Sequence, residues 1–203
     1  MVPYQIDVRD ELALATVARD FVGRFGSPDL VIANAGISAG TLGEAIEDVP
    51  KLRAVLDVNV IGMAASLAAF APAMRLAGRG TLACIASVAS FRGLAGNGAY
   101  SASKAAARTW CESLRTELYG SGVSVVCVCP GYIDTPLTRV NRFRMPFLLS
   151  GDEAAPKIAR AIAARRRVAV IPWQMALVSV VLRAMPDWLY DYFASSAPRK
   201  PRE

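Results

Sequence analysis

Tyr100 and Lys104 are the residues whose types and spacing point most directly to chemistry. Four positions apart in a helical segment, they share one face about one turn from each other. A nearby ammonium stabilises a phenolate and lowers the pKa of a tyrosine from ~10 toward neutrality. The pair therefore predicts an acid/base catalyst, although the spacing alone is more typical of a solvated helix face.

The chain contains no histidine, so any acid/base catalysis must use another side chain. This excludes the usual base of Ser/His/Asp and Cys/His hydrolases and removes the commonest metal ligand. The cysteines lack CxxC spacing and lie in apolar surroundings, so we expect buried thiols in a reducing compartment and no metal site. A cytoplasmic protein is predicted. The four are Cys84, Cys111, Cys127 and Cys129.

Turn-forming or polar residues end three of the predicted strands. In open parallel sheets, ligands bind at the carboxyl ends of the strands, so we expect these residues and Tyr100 to meet at one edge. The groups are Asn34-Ala35-Gly36 after the strand 29–33, Ser87 at the end of 81–87, and Pro130-Gly131 after 124–129.

Asn59 is a polar residue in the apolar helical stretch 48–77. One interpretation is an amide that stabilises a helix surface or kink; the other is an amide in a proton relay.

The elements around these residues alternate short β-branched runs with longer helical segments, which predicts a doubly wound parallel sheet of the Rossmann-like α/β class, with helices on both faces. At 203 residues and 54% hydrophobic content, we expect a single domain over 1–203. The predicted strands are 2–8, 29–33, 81–87, 124–129 and 168–171. The predicted helices are 10–25, 48–77, 101–119 and 152–166. A kink or turn is expected near Pro72 in the second helix, and a Ser150–Glu153 capping box begins the last one.

In this order and spacing, the quoted residues resemble the short-chain dehydrogenase/reductase family. The resemblance runs from residue 2 to about 172. It rests on Asp7-Val8, Asn34-Ala35-Gly36, Asn59, Ser87, Tyr100-x-x-x-Lys104 and Pro130-Gly131-x-x-x-Thr135.

The resemblance implies roles for four catalytic residues. Tyr100 would exchange a proton with the substrate carbonyl or hydroxyl, and Lys104 would lower its pKa while holding the nicotinamide ribose. Ser87 would hydrogen-bond the reacting oxygen. Asn59 would position a water that links Lys104 to solvent. The implied cofactor is NAD or NADP, and the implied reaction interconverts a carbonyl and an alcohol by hydride transfer.

The resemblance also implies further cofactor contacts. Asp7 and Val8 would lie near the adenine, Asn34, Ala35 and Gly36 beside the adenosine ribose, and Thr135 at the nicotinamide carboxamide. Pro130, Gly131 and Tyr100 would also contact the cofactor, as would Lys104. Each has a plainer interpretation: the two glycine segments as ordinary turns, and Asp7 as the cap of the helix that begins near Asp10.

The sequence departs from the family at its start. Members carry a strand, a glycine-rich TGxxxGxG turn, a helix and a second strand before the segment that matches 2–8, and these 203 residues hold no such turn. The turn cradles the pyrophosphate, and the second strand selects NAD or NADP, so the preference is not readable. Because the family strand order is 3-2-1-4-5-6-7, the strand 29–33 is predicted to expose an apolar edge. A start codon assigned too late, or a truncated protein, would explain the pattern.

The segment 136–150 occupies the place of the family's substrate lid. Its apolar residues are interspersed with Arg139, Arg142 and Arg144, which favours an apolar substrate with an anionic end. The alternative is a segment that packs on a neighbouring subunit.

The last third carries the excess of basic charge. The net charge of the chain is +6, and residues 139–203 carry 12 basic and 5 acidic side chains. Solvated arginines explain this better than an anionic partner, and nucleic acid is not an expected partner because no binding motif accompanies the charge.

The apolar stretch 171–193 is expected to pack on the body or on a second subunit rather than on a membrane surface. The tail 195–203 is expected to fray.

The sequence thus predicts an NAD(P)-dependent oxidoreductase that acts on a small-molecule carbonyl or alcohol and forms a homo-oligomer. The alternative is a non-catalytic binding or regulatory module of the same fold, acting through 171–193 at a membrane or partner.

Overall fold

The centre of the molecule is a four-stranded parallel sheet. The computed structural model describes residues 2–141 and 143–202. The strands are β1 (Leu30–Ala33), β2 (Gly80–Ile85), β3 (Val123–Pro130) and β4 (Val168–Ile171), in the order β1-β2-β3-β4. Each strand pairs in parallel with the next along the chain. The predicted doubly wound, Rossmann-like α/β class is confirmed.

Nine α-helices are present among the described residues, and they connect or flank the strands. They are α1 (Glu11–Phe25), α2 (Val49–Leu56), α3 (Met63–Ala68), α4 (Ala71–Ala77), α5 (Gly98–Glu117), α6 (Pro136–Arg139), α7 (Gly151–Ala163), α8 (Trp173–Ala184) and α9 (Asp187–Ala194).

Two apolar cores cover the two faces of the sheet. Successive side chains of a strand point to opposite faces, so β3 sends Cys127 and Cys129 into one core and Val126 and Val128 into the other. Helices α3, α4 and α5 complete the first core, and α7 completes the second. This three-layer arrangement holds the carboxyl ends of the strands together at one edge.

The predicted helix 48–77 is interrupted twice. A π-helical segment, Asp57–Gly62, separates α2 from α3, and α4 begins at Ala71 with Pro72 in its first turn. The turn near Pro72 is therefore confirmed, since proline fits a first helical turn and breaks an interior one. The run Ile46–Ala77 contains an 18-residue stretch with a mean hydropathy of 1.8, which suffices for a membrane span by length and composition. Some of its large apolar side chains, Leu67 and Met74 among them, pack in the core on one face of the sheet, whereas Ile61 and Leu76 are exposed.

The prediction of a strand over residues 2–8 is wrong. The segment is irregular, and a strand cannot persist without a neighbour for its backbone groups. It is held by side chains instead: the Tyr4 hydroxyl donates to Asp20 on α1, and Val8 packs on Gly62. As expected, β1 has an apolar edge, where Leu30 and Ile32 are 43% and 46% exposed.

The C-terminal residues do not fray, contrary to expectation. Arg202 pairs with Asp48 at 2.9 Å and with Glu47 at 3.2 Å, and its carbonyl accepts a hydrogen bond from Lys51. Pro201 lies so close to Gly40 that a Cβ there would stand 2.1 Å from the Pro201 carbonyl oxygen. We call the segment 195–202 the C-terminal strap, because it lies across the loop that follows β1. The last residue, Glu203, falls outside the described part.

Helix α8 packs on the body by one face. Met175 and Ser179 are buried, and Met175 contacts Gly131 at the end of β3. The opposite face, with Leu177 and Val180, is exposed. The prediction of packing on the body thus holds for half of this helix.

Candidate active site

The carboxyl edge of the sheet opens into a cavity of about 430 Å³. Ser87, Tyr100 and Gly131 all line it. Lys104 and Asn59 flank Gly36, where a Cβ would stand 3.3 Å from the Lys104 Nζ and the Asn59 Oδ1. The structure therefore brings together the four residues predicted to be catalytic.

Tyr100 lies in the first turn of α5, which begins at Gly98, three residues earlier than predicted. The ring is half-buried. Burial raises the pKa of Tyr100 above its ordinary value, and hydrogen bonding from Ser87 acts in the opposite direction. The phenol is therefore protonated at neutral pH and available as an acid.

Ser87 lies two residues after the end of β2 and caps the short helical turn Val88–Ser90. Its Oγ accepts a hydrogen bond from the Ala89 amide at 3.1 Å. Because this contact uses an oxygen lone pair, the hydroxyl hydrogen stays available for donation. The cap fixes the side chain at the floor of the cavity.

Lys104 is buried one helical turn after Tyr100. Its Nζ donates to the carbonyl of Ile85 at 2.8 Å and lies 5.7 Å from the centre of the Tyr100 ring. Burial is the main cause that lowers the pKa of Lys104, and the neighbouring buried cysteines oppose it. The ammonium stands close enough to stabilise negative charge on the phenol.

Asn59 lies in the π-helical segment Asp57–Gly62 and is 1% exposed. Its Oδ1 accepts from the Ile37 amide at 2.8 Å, and its Nδ2 donates to the Ile37 carbonyl and to Ser103 Oγ, both at 2.9 Å. The oxygen and the nitrogen of the Asn59 side-chain amide thus both hold the loop after β1. Local π-helical turns recur at functional sites, and the predicted proton relay stays a prediction.

The predicted cofactor contacts after β1 and β3 lie at the same edge. Asn34, Ala35 and Gly36 are exposed directly after β1. After Pro130, Gly131 donates its amide to Ile171 at 2.7 Å. Thr135 precedes α6, and its amide and hydroxyl both contact the Thr138 hydroxyl.

Asp7 and Val8 lie on the irregular N-terminal segment. The Asp7 carboxylate pairs with Arg9 at 2.6 Å, which holds the pKa of Asp7 at about 2. It does not cap α1, because Asp10 does so through the Ala13 amide. The plainer interpretation of Asp7 is therefore wrong, and its contact with adenine stays a prediction.

Sequence reasoning missed the far wall of the cavity. It comes from the last third of the chain, where no motif singles out individual residues: Leu182, Met185, Tyr190, Phe193, Ala194, Ala197, Pro198 and Lys200. Arg92 fixes this wall, since it pairs with Asp187 at 2.8 Å and stacks on the Tyr190 ring. Of the lid arginines, Arg139 pairs with Asp134 at 2.7 Å, Arg144 lines the cavity, and Arg142 lies outside the described residues.

Comparison with known proteins identifies the family of the chain. Residues 1–144 match the family model described as short chain dehydrogenase. The chain belongs to the short-chain dehydrogenase family. It is therefore a member of a family of NAD(P)-dependent oxidoreductases.

Relatives and solved structures extend the similarity beyond the matched region. An uncharacterized oxidoreductase of Myxococcus xanthus is 39% identical over 93% of this chain and 74% of its own length. The ketoacyl reductase HetN of Nostoc is 34% identical over 79% of this chain and 55% of its own length. The chain thus spans little more than half of some relatives. A short-chain dehydrogenase of Burkholderia cenocepacia, solved with NADP, superposes with a TM-score of 0.82 at 27% identity, covering 97% of this chain and 79% of that one.

The described residues fit one half of such a cofactor. Lys104 is a buried cation, and the missing Cβ of Gly36 lets the loop after β1 lie close to its ammonium. An ammonium donates hydrogen bonds, which suits a ribose with two hydroxyls. The glycines after β1 supply no phosphate cradle, since Gly36 abuts Lys104 and Gly40 is covered by Pro201. The residues therefore fit the nicotinamide and its ribose, and a pyrophosphate cradle is absent from the described part of the chain.

Proposed function

We propose that this protein interconverts a carbonyl and an alcohol with NAD(P) as the hydride carrier. The observation that carries the proposal is the convergence of Tyr100 and Ser87 on one cavity, with the buried Lys104 ammonium 5.7 Å from the Tyr100 ring. This set supplies a proton donor, a second hydrogen-bond donor and a fixed positive charge around one reacting oxygen.

In the reducing direction, Tyr100 donates its phenolic proton to the substrate oxygen, and Ser87 donates a hydrogen bond to the same oxygen. The Lys104 ammonium stabilises the phenolate that remains. In the oxidising direction, the phenolate accepts the proton of the alcohol. Burial raises the pKa of Tyr100, so without bound cofactor the tyrosine is in the protonated form that reduction needs.

The cofactor supplies the hydride when it is bound. Lys104 would hold the nicotinamide ribose, the segment 34–36 would lie beside the adenosine ribose, and Thr135 would contact the carboxamide. The protein's own contribution is to bind, orient and exclude water at this edge.

The cavity walls support an apolar substrate. Leu94, Leu137, Phe143, Leu182 and Phe193 all face it. Of the arginines on the segment 136–150, Arg144 lines the cavity, whereas Arg139 is engaged with Asp134.

A cytoplasmic homo-oligomer is part of the proposal. Four free, buried thiols support the reducing compartment. The exposed apolar side chains Ile61 and Leu76 on the run 46–77 support association through those helices. Sedimentation of the purified chain measures the oligomeric state, and a monomer at all concentrations would contradict that part.

The test of the reaction is the pair Tyr100→Phe and Tyr119→Phe, assayed by consumption of NADPH with cyclohexanone and acetophenone. Tyr119 is 88% exposed at the end of α5 and serves as the matched control. We expect Tyr100→Phe to lower kcat by a factor on the order of a thousand, as removal of a general acid does, with NADPH affinity unchanged. Equal turnover by both variants would overturn the assignment.

A further inference from the structure

The C-terminal strap places one cation inside the cavity. Lys200 lines the cavity, and its Nζ donates to Ser38 Oγ at 2.8 Å. Ser38 follows Ile37, the residue whose backbone Asn59 holds on both sides. Lys200 is therefore joined to the loop that carries the cofactor-side residues, although it lies about a hundred positions from Tyr100 in sequence.

This ammonium has no counter-charge among the described residues. Burial lowers the pKa of Lys200, and no carboxylate acts against that effect. The carboxylates of the adjacent loop, Glu47 and Asp48, are engaged by Arg202 and Lys51. A half-buried cation without an anion costs free energy, and a ligand that brings the anion would recover it.

The rest of the cavity is what an apolar molecule requires. Leu182, Met185 and Phe193 form the wall beside the strap, and Ser87 with Tyr100 forms the reactive end. An exposed arginine, Arg144, also lines the cavity, but its guanidinium is solvated and is the weaker anchor.

We propose that Lys200 is a specificity-determining residue that binds the anionic group of the substrate. The substrate class is then an oxo or hydroxy compound with an apolar body and a carboxylate or phosphate at the end remote from the reacting carbon. The inference rests on the proposed function for the reactive end, and it concerns binding alone.

Binding of octanoate and of octanamide, measured by calorimetry on the intact chain without cofactor, tests the proposal. The two ligands have the same alkyl chain, and only octanoate carries a charge. Hydride transfer plays no part, so the outcome is independent of whether the chain proves to be an oxidoreductase. The variants are Lys200→Met, Lys200→Arg and Arg144→Met, with Lys157→Met as the control on the exposed face of α7. Octanoate compared with octyl phosphate distinguishes the two anionic groups.

We expect the wild type to prefer octanoate on the order of tenfold, and Lys200→Met to abolish that preference while octanamide affinity stays the same. Lys200→Arg and Lys157→Met should retain it, and added salt should weaken octanoate binding only. Equal loss of both ligands in Lys200→Met would show a purely structural strap contact and overturn the proposal. Loss of the preference in Arg144→Met but not in Lys200→Met would overturn it as well.

Discussion

Gly36 is the point at which the loop after β1 meets the buried amide and ammonium of the site. A Cβ at this position would stand 3.3 Å from both the Asn59 Oδ1 and the Lys104 Nζ, closer than nearly all observed contacts of this kind. Gly36→Ala should therefore displace the Lys104 ammonium by a few tenths of an ångström. Such small displacements matter because catalysis depends on position.

We expect Gly36→Ala to lower kcat/KM about tenfold or more, with a melting temperature close to that of the wild type. Gly43→Ala is the matched control, since nothing lies within 4 Å of a Cβ there. Steady-state kinetics and thermal denaturation of both variants measure the effect. Unchanged kinetics in Gly36→Ala would show that the loop yields without moving Lys104.

At this scale, sequence reasoning located the residues whose spacing is local. Tyr100 and Lys104 share a helix, and Ser87 lies just after β2, the strand that the apolar run 81–87 indicates. Lys200 could not be found in the same way, because its place depends on where the strap folds back. Nothing in the local pattern of the strap encodes that contact, which is made by Arg202 and Asp48.

Among the elements, α7 has the clearest start. Ser150 accepts a hydrogen bond from the Glu153 amide, and the Glu153 carboxylate accepts one from the Ser150 amide, as the predicted capping box requires. Ser150→Ala should lower the free energy of unfolding by about 1 kcal/mol. Urea denaturation measures this, with the exposed Ser113→Ala on α5 as the control. An equal, small effect in both variants would mean that the cap is dispensable.

The strap is held by a carboxylate whose protonation should release it. The Leu42 amide is the first cause that holds the pKa of Asp48 at about 2, followed by Arg202. A pKa lowered by folding gives stability that is present above the unfolded value of about 4 and is lost as pH falls through about 2.

The stability difference between wild type and Asp48→Asn should therefore be largest near neutral pH and shrink toward pH of about 2. Urea denaturation across that range gives the difference directly. A difference that is constant with pH would show that Asp48 makes no charge-dependent contact in solution.

The elements also show where pattern reasoning stops. The segment 2–8 has the apolar composition of a strand, but strand formation depends on a partner that no local pattern reveals. The helix predicted over 48–77 was correct in extent and missed the π-helical segment 57–62. Within that segment, Asn59 hydrogen-bonds to the backbone of Ile37, a tertiary contact that the local pattern does not reveal.

At the scale of the whole molecule, the sheet ends at β1, which has no second neighbouring strand among residues 2–141 and 143–202. Ile32 is 46% exposed there, beside backbone groups that are free to pair with another chain. Ile32→Lys should reduce concentration-dependent association, measured by light scattering, without loss of helical circular dichroism. Leu12→Lys adds the same charge at an 82% exposed position on α1 and should have a smaller effect. Equal effects of the two variants would assign the change to charge alone.

We propose that the 203 residues hold the nicotinamide half of a dinucleotide site built around Lys104. Titration of NADPH, and separately of NADH, into the chain measures this through energy transfer from Trp110 and the other tryptophans to the reduced nicotinamide. We predict saturable binding that weakens about tenfold in Lys104→Met and is unchanged in Lys157→Met. Absence of saturable binding by a chain shown to be folded by circular dichroism, or equal binding by all three proteins, would contradict the account.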